Sequence, residues 1–344
     1  MAEGGIIVTQ PSPWSIRRYE PGDEEQILRL FRKVFGRERS LAHWQWKYRD
    51  NPEGAQIFVA VTDAGEIVGH YAGIPVRVTV DGAPRIFSIL CDNMVEQDYR
   101  QGLKKPGIST SLLARMTQDY GGNDRAAVMY GFPTPEIMRM VQRLNEFSPH
   151  HAVRLVRSVD GEPRVTSRQR IVNLWRQVRY PVRQVDRFDA GVDRLWERCR
   201  DEMRVAIVRD ARYVNWRYAD CPDVTYRLLQ AGGTMGFPVL GIAVLRLGRI
   251  DEAVACLMDW LVPCGAKGAA DQLLGRCLEE ARLAGMKEFR AWLSPSSPWR
   301  RYFLDQGFQA GETDFIGVRS FTPAVPFELL DAYWFYTMGD SDVY

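Results

Sequence analysis

Trp46-Lys47-Tyr48-Arg49-Asp50-Asn51-Pro52 and Trp216-Arg217-Tyr218-Ala219-Asp220-Cys221-Pro222 are one phrase written twice in the same chain. Each closes a helical pattern, and each is followed by further echoes in the same order. Cys91-Asp92-Asn93-Met94-Val95 returns as Met258-Asp259-Trp260-Leu261-Val262, and Gly107 through Leu112-Leu113 as Gly268 through Leu273-Leu274. Leu144-Asn145-Glu146-Phe147 returns as Asp305-Gln306-Gly307-Phe308. A repeat of this period reads as two copies of one domain, and overlooking it would misassign the fold. Where the copies differ, one can have kept a site that the other has lost.

The chain of 344 residues is long enough for two hydrophobic cores. Its 46% hydrophobic and 26% charged residues are those of an ordinary globular protein. A net charge of +2 gives no overall electrostatic case for nucleic acid or an anionic membrane, so neither is expected as a partner. No apolar run approaches the roughly 18 residues of a membrane span, and Ile6-Ile7-Val8 is too short for a secretory leader, so the cytoplasm is expected. The six cysteines and four histidines show no zinc-type spacing, so no metal is expected and the thiols read as reduced.

Hydrophobic periodicity predicts a strand and a helix over 16–36 and a second helix from Ser40 to Asp50. Strands at 57–61, 67–72, 75–80 and 85–95 form an antiparallel meander. A long helix from Ile108 to Tyr120, a strand at 126–130 and a helix from Glu136 to Leu144 follow. The second copy repeats that order between 210 and 306. The expected class is α/β with mixed sheets: a domain at 14–150, an arginine-rich bridging segment at 151–200, and a second domain at 201–344. Each copy is expected to carry its own central sheet of about six strands.

A meander whose last strand feeds a loop and then a long helix resembles the cofactor-binding core of the GNAT acyltransferases, here as a tandem pair. In that family the loop reads Q/R-x-x-G-x-G/A. Unpaired amides and the positive end of the helix attract the pyrophosphate of acetyl-CoA. In the first copy Arg100 stands at the Q/R position, and Gly107-Ile108-Ser109 resembles the G-x-G ending, with about four residues inserted between them. The resemblance implies acetyl-CoA or another acyl-CoA at Val95, Arg100, Gly102, Lys104, Gly107, Ile108 and Ser109. The second copy runs only from Val262 to Gly268 over the same interval, with one lysine and no arginine, so the first copy is the expected cofactor site.

The resemblance implies transfer of an acyl group, an acetyl group in the first instance, to a primary amine on a small molecule or peptide. A base must take the proton of the amine. Asp92, in the strand entering the loop, and Glu96, at its end, stand where family members keep a carboxylate. Asp259 repeats Asp92 in the copy with the shortened loop, which argues equally for a structural role. The family's tyrosine acid is missing from the helix at 136–142, which leaves Tyr130 or Tyr99 for the departing thiolate. The paired aromatic helices read either as an acceptor pocket or as packing. The acidic tail at 335–342 reads as a last strand with nothing requiring it to reach the other copy. Two other readings stand beside this one: a Fem-type aminoacyl or peptidyl transferase, which near-neutral charge disfavours, and a catalytically silent sensor or scaffold.

Overall fold

The computed structural model describes residues 14–100, 107–134, 137–139, 147–159, 178–233, 237–249 and 252–342. The first half runs β1 (Trp14–Arg18), α1 (Glu24–Phe35), α2 (Leu41–Trp44), β2 (Gln56–Thr62), β3 (Ile67–Val80), β4 (Ala83–Val95), α3 (Ile108–Tyr120), β5 (Ala126–Gly131) and β6 (Ser148–Ser158). The second runs β7 (Val182–Val185), α4 (Gly191–Cys199), β8 (Val205–Ile207), α5 (Ala211–Val214), β9 (Tyr226–Gly232), β10 (Val239–Arg249), β11 (Glu252–Leu261), α6 (Lys267–Leu283), β12 (Glu288–Trp292), α7 (Arg300–Asp305) and β13 (Gln309–Ser320). A tail of α8 (Phe327–Tyr333) and β14 (Trp334–Phe335) completes the order. The halves therefore share one order of elements, with β8 and α7 as the elements named only in the second.

The strands do not form two separate sheets. They form one, in the order β1-β2-β3-β4-β5-β13-β6-β12-β11-β10-β9-β7. The last strand of each half crosses over: β13 lies against β5 and β6 against β12, while β6 and β13 pair with each other in the middle. The three pairings β5 with β13, β13 with β6 and β6 with β12 leave none of these four strands with an open edge at the centre of the sheet. The expected boundary at 150 thus falls inside β6. The segment at 151–200 is also more than a bridge, because its β7 pairs with β9 as β1 pairs with β2. The tail ties the halves again: β14 pairs with β8, and β8 with the end of β3.

The helix expected at 40–50 changes pitch partway. After α2 the chain makes a π-helical turn at Gln45–Arg49, with the Asp50 N–H bonded to the Gln45 carbonyl (2.8 Å). Asn215–Ala219 does the same, with Asp220 bonded to Asn215 (2.9 Å). Such turns are rare and rotate the residues beyond them around the helix axis. Here they carry Lys47 and Tyr48, and Arg217 and Tyr218, into the interior. Trp46 and Trp216 stack at 5.9 Å, and each indole N–H donates to the other's backbone carbonyl (2.5 and 2.8 Å). The duplicated aromatic helices are therefore an interface between the halves.

Helix α3 lies across the first sheet, burying Ile108, Leu112, Leu113 and Met116 against Phe58, Val68, Leu90 and Met129. Gly69 permits that approach, since a Cβ there would stand 2.4 Å from the Ile108 side chain. Helix α6 packs its equivalent face, including Ala270, Leu273, Leu274 and Cys277, into the second core.

Candidate functional site

Strands β4 and β5 run parallel and in register from Phe87↔Val128 to Leu90↔Gly131, and there their pairing stops. A Cβ on Gly131 would meet the Leu90 carbonyl at 2.9 Å, so glycine lets the strands stay close up to the point of parting. Beyond it β4 continues along β3, but with a bulge. Ala72 pairs with Cys91 and His70 with Met94, so Asp92 and Asn93 together face Tyr71 alone. Asp92 has φ 50°, the left-handed conformation that aspartate tolerates better than most side chains. A bulge bends its strand and re-aims the side chains beyond it. The result is a cleft of about 380 Å³ between the diverging strands, lined among others by Leu90, Asn93, Leu113, Phe132, Ile137 and Phe147.

The first turn of α3 is joined to the cleft through Asn93, a lining residue whose side-chain amide donates to the Ser109 hydroxyl (2.7 Å). No side chain caps it at Gly107, so its first amides have no partner within the helix. Residues 15–142 match the family model described as "Acetyltransferase (GNAT) domain". The match to the GNAT domain thus falls within the first half of the chain. The whole chain is similar in fold to a protein of unknown function from Enterococcus faecalis V583 described as a probable N-acyltransferase, with TM-score 0.64 and 11% identity over 90% of this chain and 72% of that one. It is similar to a GCN5-related N-acetyltransferase from Anabaena variabilis ATCC 29413, with TM-score 0.63 and 10% identity, covering 90% and 73%. A further similar fold is N-myristoyltransferase from Saccharomyces cerevisiae with bound myristoyl-CoA, with TM-score 0.57 and 13% identity, covering 92% and 81%. No curated protein matches the chain in sequence.

The second half reproduces the cleft's frame and fills it. Strands β11 and β12 run parallel as far as Leu257↔Ala291, and β11 carries a bulge between Leu257 and Asp259. Trp260 occupies the place that Asn93 has in the GNAT half. It packs edge-on against Trp299 and Phe303, and the Trp299 indole N–H donates to the Val262 carbonyl (2.8 Å). A void of only about 10 Å³ is left beside them. Backbone left open in the GNAT half is thus covered by tryptophan in the other.

Both halves hold the aspartate of the bulge in the same way. Asp92 accepts from the Tyr48 hydroxyl and the Arg39 guanidinium, and from Lys47 at 3.2 Å. Asp259 accepts from Tyr218 at 2.9 Å and Arg209 at 2.8 Å, fully buried. Burial works against the charge on Asp92, but Lys47 and Arg39 outweigh it and hold its carboxyl well below the usual carboxylate range. His70 lies behind it, its Nδ1 2.8 Å from the Asp92 carbonyl, and burial pushes its pKa down to about 4.

The other expected site residues separate. Tyr130 is wholly buried and donates its hydroxyl to the Asp340 carbonyl (2.8 Å), and burial pushes its pKa well above the ordinary value. It does not reach the cleft. Glu96 lies outside the cleft lining and pairs with Lys33 at 3.0 Å. Val95 closes β4, and its carbonyl accepts from Arg100 Nε at 3.0 Å. Gly107, Ile108 and Ser109 form the start of α3, where the Ser109 hydroxyl accepts from Asn93 (2.7 Å) and ties the helix to the bulge. Gly102 and Lys104 lie outside the described residues. Among the described residues no cluster of His, Cys, Asp and Glu is suited to a metal, and no helix is long and apolar enough to cross a membrane.

A second, larger cavity of about 680 Å³ opens between the halves, with Phe31 and Trp46 on one side and Trp216, Tyr226 and Arg246 on the other. Arg37, Arg39 and Asp342 line both this cavity and the cleft. Sequence reasoning missed Arg39 and Asp342. Arg39 was detectable, because it precedes the Trp46 phrase by the same interval at which Arg209 precedes the Trp216 phrase. Asp342 belongs to the tail, which has no echo in the first half, so no internal comparison reaches it.

Proposed function

We propose that the chain is an acyl-CoA-dependent N-acyltransferase with one working site, in the GNAT half. The observation that carries this is the open backbone edge of β4 beyond Leu90, beside an uncapped helix N-terminus. Phosphates of the acyl-CoA would be held by the amides of Gly107, Ile108 and Ser109, with Arg100 and the loop residues Gly102 and Lys104 contributing. The pantetheine arm would add to the free edge of β4 as an extra strand, ending with the thioester at the Asp92–Asn93 bulge. The acceptor amine would enter from the cavity between the halves. Asp92, pinned by two cations and a hydroxyl, is a positioning residue that fixes the bulge rather than the base. The half from β7 to β13 is a structural partner that walls the acceptor cavity.

The acyl group is taken to be acetyl, the simplest acyl thioester. The similar yeast N-myristoyltransferase, which holds myristoyl-CoA, makes a longer chain the alternative to be tested alongside it. The test is release of free thiol from acetyl-CoA and from longer acyl-CoAs, with amino acids, amino sugars, polyamines and a lysine peptide as acceptors. Arg100→Ala should weaken acyl-CoA binding by about 1.5–3 kcal/mol, the range for a hydrogen bond to a charged group, with turnover at saturation little changed. An unchanged KM for acyl-CoA would remove Arg100 from the site.

A further inference from the structure

We propose that Asp342 is the base that takes the proton from the acceptor amine, an inference that rests on the acyl-CoA cleft assigned above. The cleft and the cavity between the halves meet at Arg37, Arg39 and Asp342, and Asp342 is the acid among them. A thioester in one and an amine in the other can meet only at such a junction. Its side chain is 17% exposed, open to both spaces without facing bulk solvent.

The surroundings set it apart from Asp92. Lys47 reaches both carboxylates, but stands 3.2 Å from Asp92 and 3.7 Å from Asp342. Arg39 and Tyr48 complete the hold on Asp92, and no side chain but Lys47 pairs with Asp342 among the described residues. The other groups felt at this point are Cys91 and Asp92 on β4, Tyr130 on β5, and Arg39. Burial raises the affinity of Asp342 for a proton, and Lys47 offsets only part of that. Two carboxylates side by side are thus pushed in opposite directions, the pattern that separates a fixed charge from a proton carrier. The tail is built to hold this position. Asp340 is clamped by Arg209 (2.7 Å), and Arg217 donates to the carbonyls of Gly339 and Ser341 (3.1 and 2.9 Å).

In the reaction the ammonium form of the acceptor gives one proton to the Asp342 carboxylate. The freed nitrogen lone pair forms a bond to the thioester carbon, and the carbonyl π pair moves onto oxygen. On collapse the carbon–sulfur bond breaks, and the departing sulfur takes the second nitrogen proton. Asp342 then returns its proton to water through the cavity. The products are an amide, the CoA thiol and one proton.

The experiment compares wild type, Asp342→Asn and Asp342→Glu as full-length proteins, with acetyl-CoA and the acceptor panel above. Asp342→Asn should lower turnover by about 10²–10⁴ while acetyl-CoA affinity stays within about twofold, and should remove the acid limb of the kcat/KM profile. Asp342→Glu should restore part of the rate with a shifted limb. Retained turnover in Asp342→Asn, with its acid limb intact, overturns the proposal. A second readout needs no acceptor: in the acetyl-CoA complex one carboxyl carbon resonance, absent from Asp342→Asn, should titrate above the ordinary aspartate value of about 3.9. A resonance titrating at or below that value also overturns it. If wild type binds neither acetyl-CoA nor a longer acyl-CoA, the cleft assignment falls. If it binds and Asp342→Asn behaves as wild type, only the role of Asp342 falls.

Discussion

The two halves of this chain carry a bulge in the equivalent strand and hold an aspartate beside it, yet one bulge opens onto a cleft of about 380 Å³ while the other is followed by the packed rings of Trp260, Trp299 and Phe303. What they share is therefore scaffold. Arg39, Tyr48 and Asp92 on one side, and Arg209, Tyr218 and Asp259 on the other, pin a bent strand to a π-helical turn whether or not anything binds beside it. What separates them is three bulky side chains. Trp260, Trp299 and Phe303 fill the space that Asn93, Ile137 and their neighbours leave open. A residue present in both halves thus argues for folding, and a residue present in one argues for binding.

The largest effect should come from breaking the pin where it is most deeply buried. Asp259→Asn leaves Arg209 enclosed with Asp340 alone, and should cost about 3–5 kcal/mol, the usual penalty for removing one partner of a buried pair. Asp92→Asn should cost less, about 1–3 kcal/mol, because Lys47 keeps Asp342 as a partner and Arg39 borders the two cavities rather than a closed core. Denaturant midpoints measure both. If Asp92→Asn abolishes turnover with stability untouched, Asp92 is a reacting group and the comparison between the halves fails.

A smaller effect lies in the acid limb of stability. The folded state holds Asp92 below its unfolded value, so its contribution is complete above about pH 4 and is lost as pH falls through the folded value. The gap between wild type and Asp92→Asn should stay constant from pH 5 to 8 and narrow below about pH 4. Burial shifts Asp342 the other way, so its charge costs stability at neutral pH and that cost disappears on acidification. Asp342→Asn should accordingly be no less stable than wild type at neutral pH. A gap that widens in acid for Asp92→Asn would contradict its assignment as a held charge.

Periodicity and the written-out repeat carried much of this architecture. The long helix and the short strand beyond it lie where the pattern put them, because each buries one face against a core, whereas the strands expected at 67–72 and 75–80 are one continuous strand, β3 (Ile67–Val80), whose pairing with β4 runs on through Gly73, Ile74 and Pro75. The exchange of β6 and β13 was not legible, since pairing partners across a sheet centre depend on which edges are left open, not on the composition of either strand. The π-helical turns were equally silent: Gln45–Arg49 reads as ordinary helix, and only its fit against the bulge selects the wider turn. Tyr130 looked available because it ends a strand, but crossing of the tail buries it under Asp340. Asp342 was hidden for the same reason. Its importance comes from where a chain end lands after threading between both halves.

The central claim is that the chain has one acyl-CoA site and that the difference between Asn93 and Trp260 decides where it is. Calorimetric titration of acetyl-CoA into wild type and into Asn93→Trp tests this most directly. Wild type should bind one equivalent per chain. Asn93→Trp, which copies the plug of the second half into the first, should fold normally and bind none. Two equivalents in wild type, or undiminished binding in Asn93→Trp, would contradict the account.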